Sequence, residues 1–131
     1  MKSRIKKESP LLIGYMINES NIEKLSKIAN SLKITLKLVG RESAGEKIGF
    51  LAGFNGFTKC DKIAENIIED ECLIMSGFSN KSMDNLLLEM KSQNINIPLK
   101  CIVTQYNQSW TLNNLIEELK KEHEKMNKFN N

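Results

Sequence analysis

Ser79, Asn80 and Lys81 stand together directly after an apolar run, and a hydroxyl, an amide and an ammonium in that setting could hold an anion at a helix N-terminus. Asn18, Ser20 and Asn21 follow a second apolar run in the same way. His123, the sole histidine, has the chemistry of a general base or a metal ligand. It lies between Glu122 and Glu124, with no second histidine and no Cys-x-x-Cys pair in the chain, so the sequence assembles neither a catalytic set nor a metal site. Gly45, Gly49 and Gly53 invite a phosphate-loop reading. They lack the Gly-Lys-Ser/Thr ending and the Gly-x-Gly-x-x-Gly pattern, and their spacing reads instead as the small face of a helix packed close to a neighbour or a second subunit. Ser79, Thr104 and Ser109 have no nucleophile-elbow context. No catalytic residue, metal or cofactor is predicted.

The elements that must position these residues are legible from periodicity. "LLIGYMI" (11–17) and "CLIMSGF" (72–78) are near-continuous apolar runs, the pattern of central strands covered on both faces. "KITLKLV" (33–39) alternates, and "LKCIVT" (99–104) is introduced by Pro98, so both read as edge strands. "SNIEKLSKIANSL" carries Ile22, Leu25, Ile28, Ala29 and Leu32 on one face, with Ser20 and Glu23 spaced as a capping box. "SNKSMDNLLLEMKSQN" aligns Met83, Leu86, Leu87 and Met90 and stops at Asn94, which tolerates a left-handed turn.

Sliding the sequence on itself by 63 residues places Gly14 on Gly77, Leu25 on Leu88, Ile34 on Ile97 and Val39 on Ile102. That coincidence predicts two βαβα pseudo-repeats, about 10–56 and 72–127, joined by a helix at about 58–70. "SAGEKIGFLAGF" and "TLNNLIEELKKEHEKM" are their matching last helices. The expected fold is α/β: a four-stranded, mainly parallel sheet in order 2-1-3-4 with helices on both faces, in one domain over 10–127 after a basic tail at 1–9. In such a sheet a ligand settles at the carboxyl ends of strands 1 and 3, where the order reverses. Asn18, Ser20, Asn21, Gly77, Ser79, Asn80 and Lys81 would line that crevice and suit a small anionic metabolite or nucleotide.

Composition narrows the class. A chain of 131 residues with 40% hydrophobic content can bury a core without staples. Its apolar runs are far below the roughly 20 residues a membrane span needs, which predicts no membrane segment. Three cysteines at wide spacing read as reduced thiols in a cytoplasm. The net charge of +3 comes from 17 lysines and 2 arginines dispersed among 16 acidic residues, without aromatic interleaving, which disfavours nucleic acid.

The stretch "TQYNQSWTLNNLIEELKKEH" (104–123) reads as a strand-to-helix joint. Thr111 is the expected N-cap, Asn107 suits the turn, and Trp110 against Leu115 has the spacing of a hydrophobic staple that would pin the last helix to the sheet. Lys100, Thr104, Asn107, Trp110 and Thr111, followed by Leu115, Glu118, Leu119, Glu122 and His123, resemble the hallmark of an uncharacterised bacterial family, domain of unknown function 3783. The similarity runs from "ECLIMSGFSNKSMDNLL" through "LKCIVTQYNQSWTLNNLIEELKKEH", roughly residues 72 to 126. The resemblance implies a small prokaryotic α/β protein and brings with it no activity, cofactor or partner. The function therefore stays open at this level. A non-enzymatic cytoplasmic interaction or regulatory module that forms a homodimer or binds a protein partner is the first expectation, and anion binding at the crevice, with or without catalysis, is the second.

Overall fold

Two five-residue strands without a charged side chain, β1 (Leu11–Tyr15) and β3 (Cys72–Ser76), form the centre of the sheet. Edge strands β2 (Thr35–Val39) and β4 (Lys100–Ile102) flank them in the order β2-β1-β3-β4. The computed structural model describes residues 10–60 and 64–130, with side chains to 126. The strand order agrees with the sequence expectation; one direction does not. β1 is parallel to β2 and β3 to β4, but β1 and β3 run antiparallel, with Leu11 opposite Ser76 and Tyr15 opposite Cys72. The sheet is mixed rather than mainly parallel. A strand covered on both faces needs apolar side chains on both, whichever way its neighbour runs, so the apolar runs carried no information about direction.

The antiparallel centre decides where the helices go. α1 (Glu19–Leu32) and α3 (Asn80–Ser92) are the two crossovers, and reversing one βαβ unit in the sheet plane keeps both on the same face. They bury Leu25, Ile28, Leu86 and Met90 against Leu12, Leu73 and Met75. The other face is covered by α2 (Ile48–Leu51) and α4 (Leu112–Asn130), whose Ile48, Leu51, Leu112, Leu115 and Ile116 pack on Ile13, Tyr15, Cys72 and Ile74. Along each central strand the side chains alternate between these two cores, as the period of two requires.

Local chemistry sets the boundaries. Asn18, not Ser20, caps α1, its side chain accepting from the Asn21 N–H. Ser79 caps α3 in a reciprocal box with Ser82. Three helices end in the same paired backbone bonds around a residue at positive φ: Lys33 (59°) after α1, Gly53 (80°) after α2 and Asn94 (57°) after α3. The closing bonds are Ile34 N–H to Ala29 O, Phe54 N–H to Gly49 O and Ile95 N–H to Met90 O, each 2.8–2.9 Å. The expected helix at 43–54 therefore shrinks to four residues. Gly49 does serve a close approach, to the Phe57 ring of the same chain, whereas Gly53 terminates the helix. The linking helix expected at 58–70 is irregular at 58–60 and 64–70, and 61–63 lie outside the described residues.

Candidate functional site

The antiparallel centre separates the residues of the expected crevice. Tyr15 stands opposite Cys72, so the segment after β1 lies where β3 begins, and the segment after β3 lies where β1 begins. Asn18, Ser20 and Asn21 gather instead with Glu71, whose Oε2 accepts from the Asn18 N–H at 2.9 Å and Asn21 Nδ2 at 3.2 Å. Ser20 Oγ donates to Asn18 Oδ1. Gly77, Ser79, Asn80 and Lys81 sit at the far end of the sheet, where Gly77 takes φ 74° and Ser79 is spent on its cap. The two groups therefore stand at opposite ends of the central pair and do not line one crevice, a consequence of strand direction alone.

The structure does bring together the residues around the β4–α4 loop. Thr104 and Asn107 hold the loop reciprocally: Asn107 Oδ1 accepts from the Thr104 N–H at 2.9 Å, and Thr104 Oγ1 accepts from the N–H groups of Tyr106 and Asn107. Asn107 Nδ2 also donates to Ile102 O at the end of β4. Thr111 caps α4 through the Asn114 N–H. Lys100 turns inward and donates to Ile97 O; burial lowers its pKa. Glu122 places negative charge near Cys101, and His123 is solvent-exposed.

A backbone clasp to the other half fixes this loop in place. Leu112 N–H donates to Glu46 O and Ile48 N–H to Trp110 O, both at 2.9 Å, around an antiparallel bridge between Lys47 and Thr111. Asn113 N–H to Ala44 O and Gly49 N–H to Gln108 O extend the clasp on either side. Asn18 and Ser79 each cap the helix after a central strand, Met16 and Gly77 take positive φ before those helices, and Lys33 and Asn94 take positive φ after them.

Trp110 departs from its expected role. Its side chain is 40% exposed and belongs to neither core, so it does not pin α4 to the sheet. Tyr106 on the same loop is 76% exposed. Ser109, Trp110, Thr111, Asn114, Glu117 and Glu118 line a shallow depression on the outer side of α4. Sequence reasoning passed over Tyr106, although an aromatic residue in a polar turn was the available signal. It also passed over Glu71 and the buried Glu46, whose Oε1 accepts from the Cys60 N–H. Nothing in a linear pattern ties those carboxylates to their distant partners.

Among the described residues no group of three or more His, Cys, Asp or Glu side chains could hold a metal ion, and no helix is long and apolar enough to cross a membrane. The three cysteines are free thiols. Residues 71–126 match the model of a family described as Domain of unknown function (DUF3783), the same stretch that carries the motif from Lys100 to His123. No curated protein and no solved structure matches the chain.

Proposed function

We propose that this protein is a small interaction module rather than an enzyme, and that it engages a protein partner, first of all a second copy of itself, through the loop from Thr104 to Thr111. The observation that carries the reading is a pair of exposed aromatic side chains, Tyr106 and Trp110, on a loop held rigid by its own side chains and by the clasp to residues 44–49. Tyrosine and tryptophan dominate contact energies at interfaces because they bury large areas with few rotatable bonds. A loop that is already ordered loses little freedom on binding. A cytoplasmic setting belongs to the same reading, supported by three thiols without a disulfide.

The test is light scattering coupled to size exclusion over a wide concentration range. The intact chain is expected to self-associate, and the Tyr106→Ala/Trp110→Ala double variant to remain monomeric with an unchanged circular dichroism spectrum. A strict monomer at the highest concentration removes self-pairing. Self-association unaffected by the double variant removes the loop as its surface.

A further inference from the structure

We propose that the depression beside Trp110 seats a cationic side chain, arginine or lysine, presented by a segment of a partner protein. The inference rests on the interaction-module reading and specifies what the partner must bring.

Asn114, Glu117 and Glu118 are spaced three and four residues apart, so they share one exposed face of α4 opposite the buried Leu112, Leu115 and Ile116. The half-exposed indole of Trp110 closes the same depression. A tryptophan face attracts cations more strongly than any other aromatic side chain, and two carboxylates add to the same sign of field. Glu118 lies 3.6 Å from Lys121, both well exposed, and among the described residues no ion pair engages Glu117. The Glu117 carboxylate is therefore free for an incoming group, and Glu118 can join it by giving up a long, exposed contact to Lys121.

An anion is disfavoured although this is a helix N-terminus. The first three N–H groups of α4 are occupied: Leu112 donates to Glu46 O, Asn113 to Ala44 O and Asn114 to Thr111 Oγ1. What is left facing solvent is the ring and the acids. A bare metal ion lacks a third ligand there, because no group of three acidic, histidine or cysteine side chains converges among the described residues. A planar guanidinium fits best, since it stacks on the indole while its fork reaches carboxylate oxygens. Tyr106, exposed on the same loop, offers a second contact to residues flanking the cation, which favours a peptide segment over a free amine.

Trp110 is the only tryptophan, so its fluorescence reports on this site alone. The full chain is titrated with the acetylated, amidated peptide Gly-Arg-Lys-Arg-Gly and, separately, with Gly-Glu-Asp-Glu-Gly. The cationic peptide is expected to change the emission saturably, with affinity falling as salt rises, and the acidic peptide to leave it unchanged. Glu117→Gln/Glu118→Gln, which alters only exposed side chains, should weaken binding about tenfold or more. Unchanged emission with the cationic peptide, or equal affinity in the double variant, overturns the proposal. If the double glutamine variant still self-associates while the Tyr106/Trp110 variant does not, the interaction module stands and the cationic partner falls.

Discussion

A thiol surrounded by apolar side chains keeps its proton, because the thiolate would lose its hydration. Burial pushes Cys101 up to about 12 from an ordinary 9.0, with repulsion from Glu122 adding to it, and raises Cys72 as well, where Cys101 adds the repulsion. The folded pKa values are raised above the unfolded ones, so the stabilisation is fully present below pH 9 and is lost as pH rises through the folded values. The unfolding free energy from denaturant titration should fall above pH 9 by up to about 1.4 kcal/mol per pH unit for each thiol. At pH 8 a thiol reagent should modify the buried Cys72 only as fast as the protein unfolds, and the partly buried Cys101 more slowly than an unfolded thiol. The loop residues separate just as clearly. Asn107→Ala removes two side-chain bonds that hold the turn and should cost about 1–3 kcal/mol in urea unfolding. Trp110→Ala should cost about 1 kcal/mol, well under the 3–5 kcal/mol of a buried aromatic, because much of the ring is already in water. The Thr111 cap and the Asn107 turn were legible in the sequence because they act over three residues. The exposure of Trp110 was not, since staple spacing only permits a contact and the fold decides whether it forms.

Helix ends were read unevenly: the Thr111 cap and the stop at Asn94 were placed correctly, whereas α1 is capped by Asn18 rather than Ser20 and the end of α2 at Gly53 was missed. α1, α3 and α4 declared themselves by their apolar stripes. α2 was overread because glycines four apart have helical spacing even when one of them ends the helix. At Gly53 the space for a Cβ is open but φ is 80°; at Gly49 the space is filled by Phe57. Gly49→Ala should therefore cost about 1–3 kcal/mol through overpacking. Lys33 gives the opposite opportunity. It holds φ 59° after α1, where Asn94 stands after α3, and an L-residue with a long side chain pays about 1 kcal/mol there. Lys33→Gly should raise the thermal midpoint, the gain trimmed by the extra freedom glycine has when unfolded. Lys37, whose Nζ donates to Leu51 O, anchors the last carbonyls of α2 from the neighbouring strand. No local pattern announces that bond, because its partners meet only after the sheet forms.

Strand order was legible at the scale of the molecule and strand direction was not. Order follows from which segments are apolar enough to be central, and β1 and β3 qualify plainly. Direction depends on how two units meet, and both arrangements bury the same side chains. The separation of Asn18 from Ser79 by the full strand length, and the loss of the expected crevice with it, follow from that one undetermined sign. Amide exchange should be slowest in β1 and β3, bonded on both sides, and faster in β2 and β4. Ile74→Ala, at the middle of the antiparallel pair, should cost about 2–5 kcal/mol. The clasp around Lys47 and Thr111 has a further bearing on how the molecule holds together. Along the chain the halves are connected only through 52–71, yet in space they share a strand ladder and four clasp bonds. A proteolytic nick in that connection should leave two fragments that co-purify and separate only in denaturant, because a severed chain would still be fastened by its own hydrogen bonds.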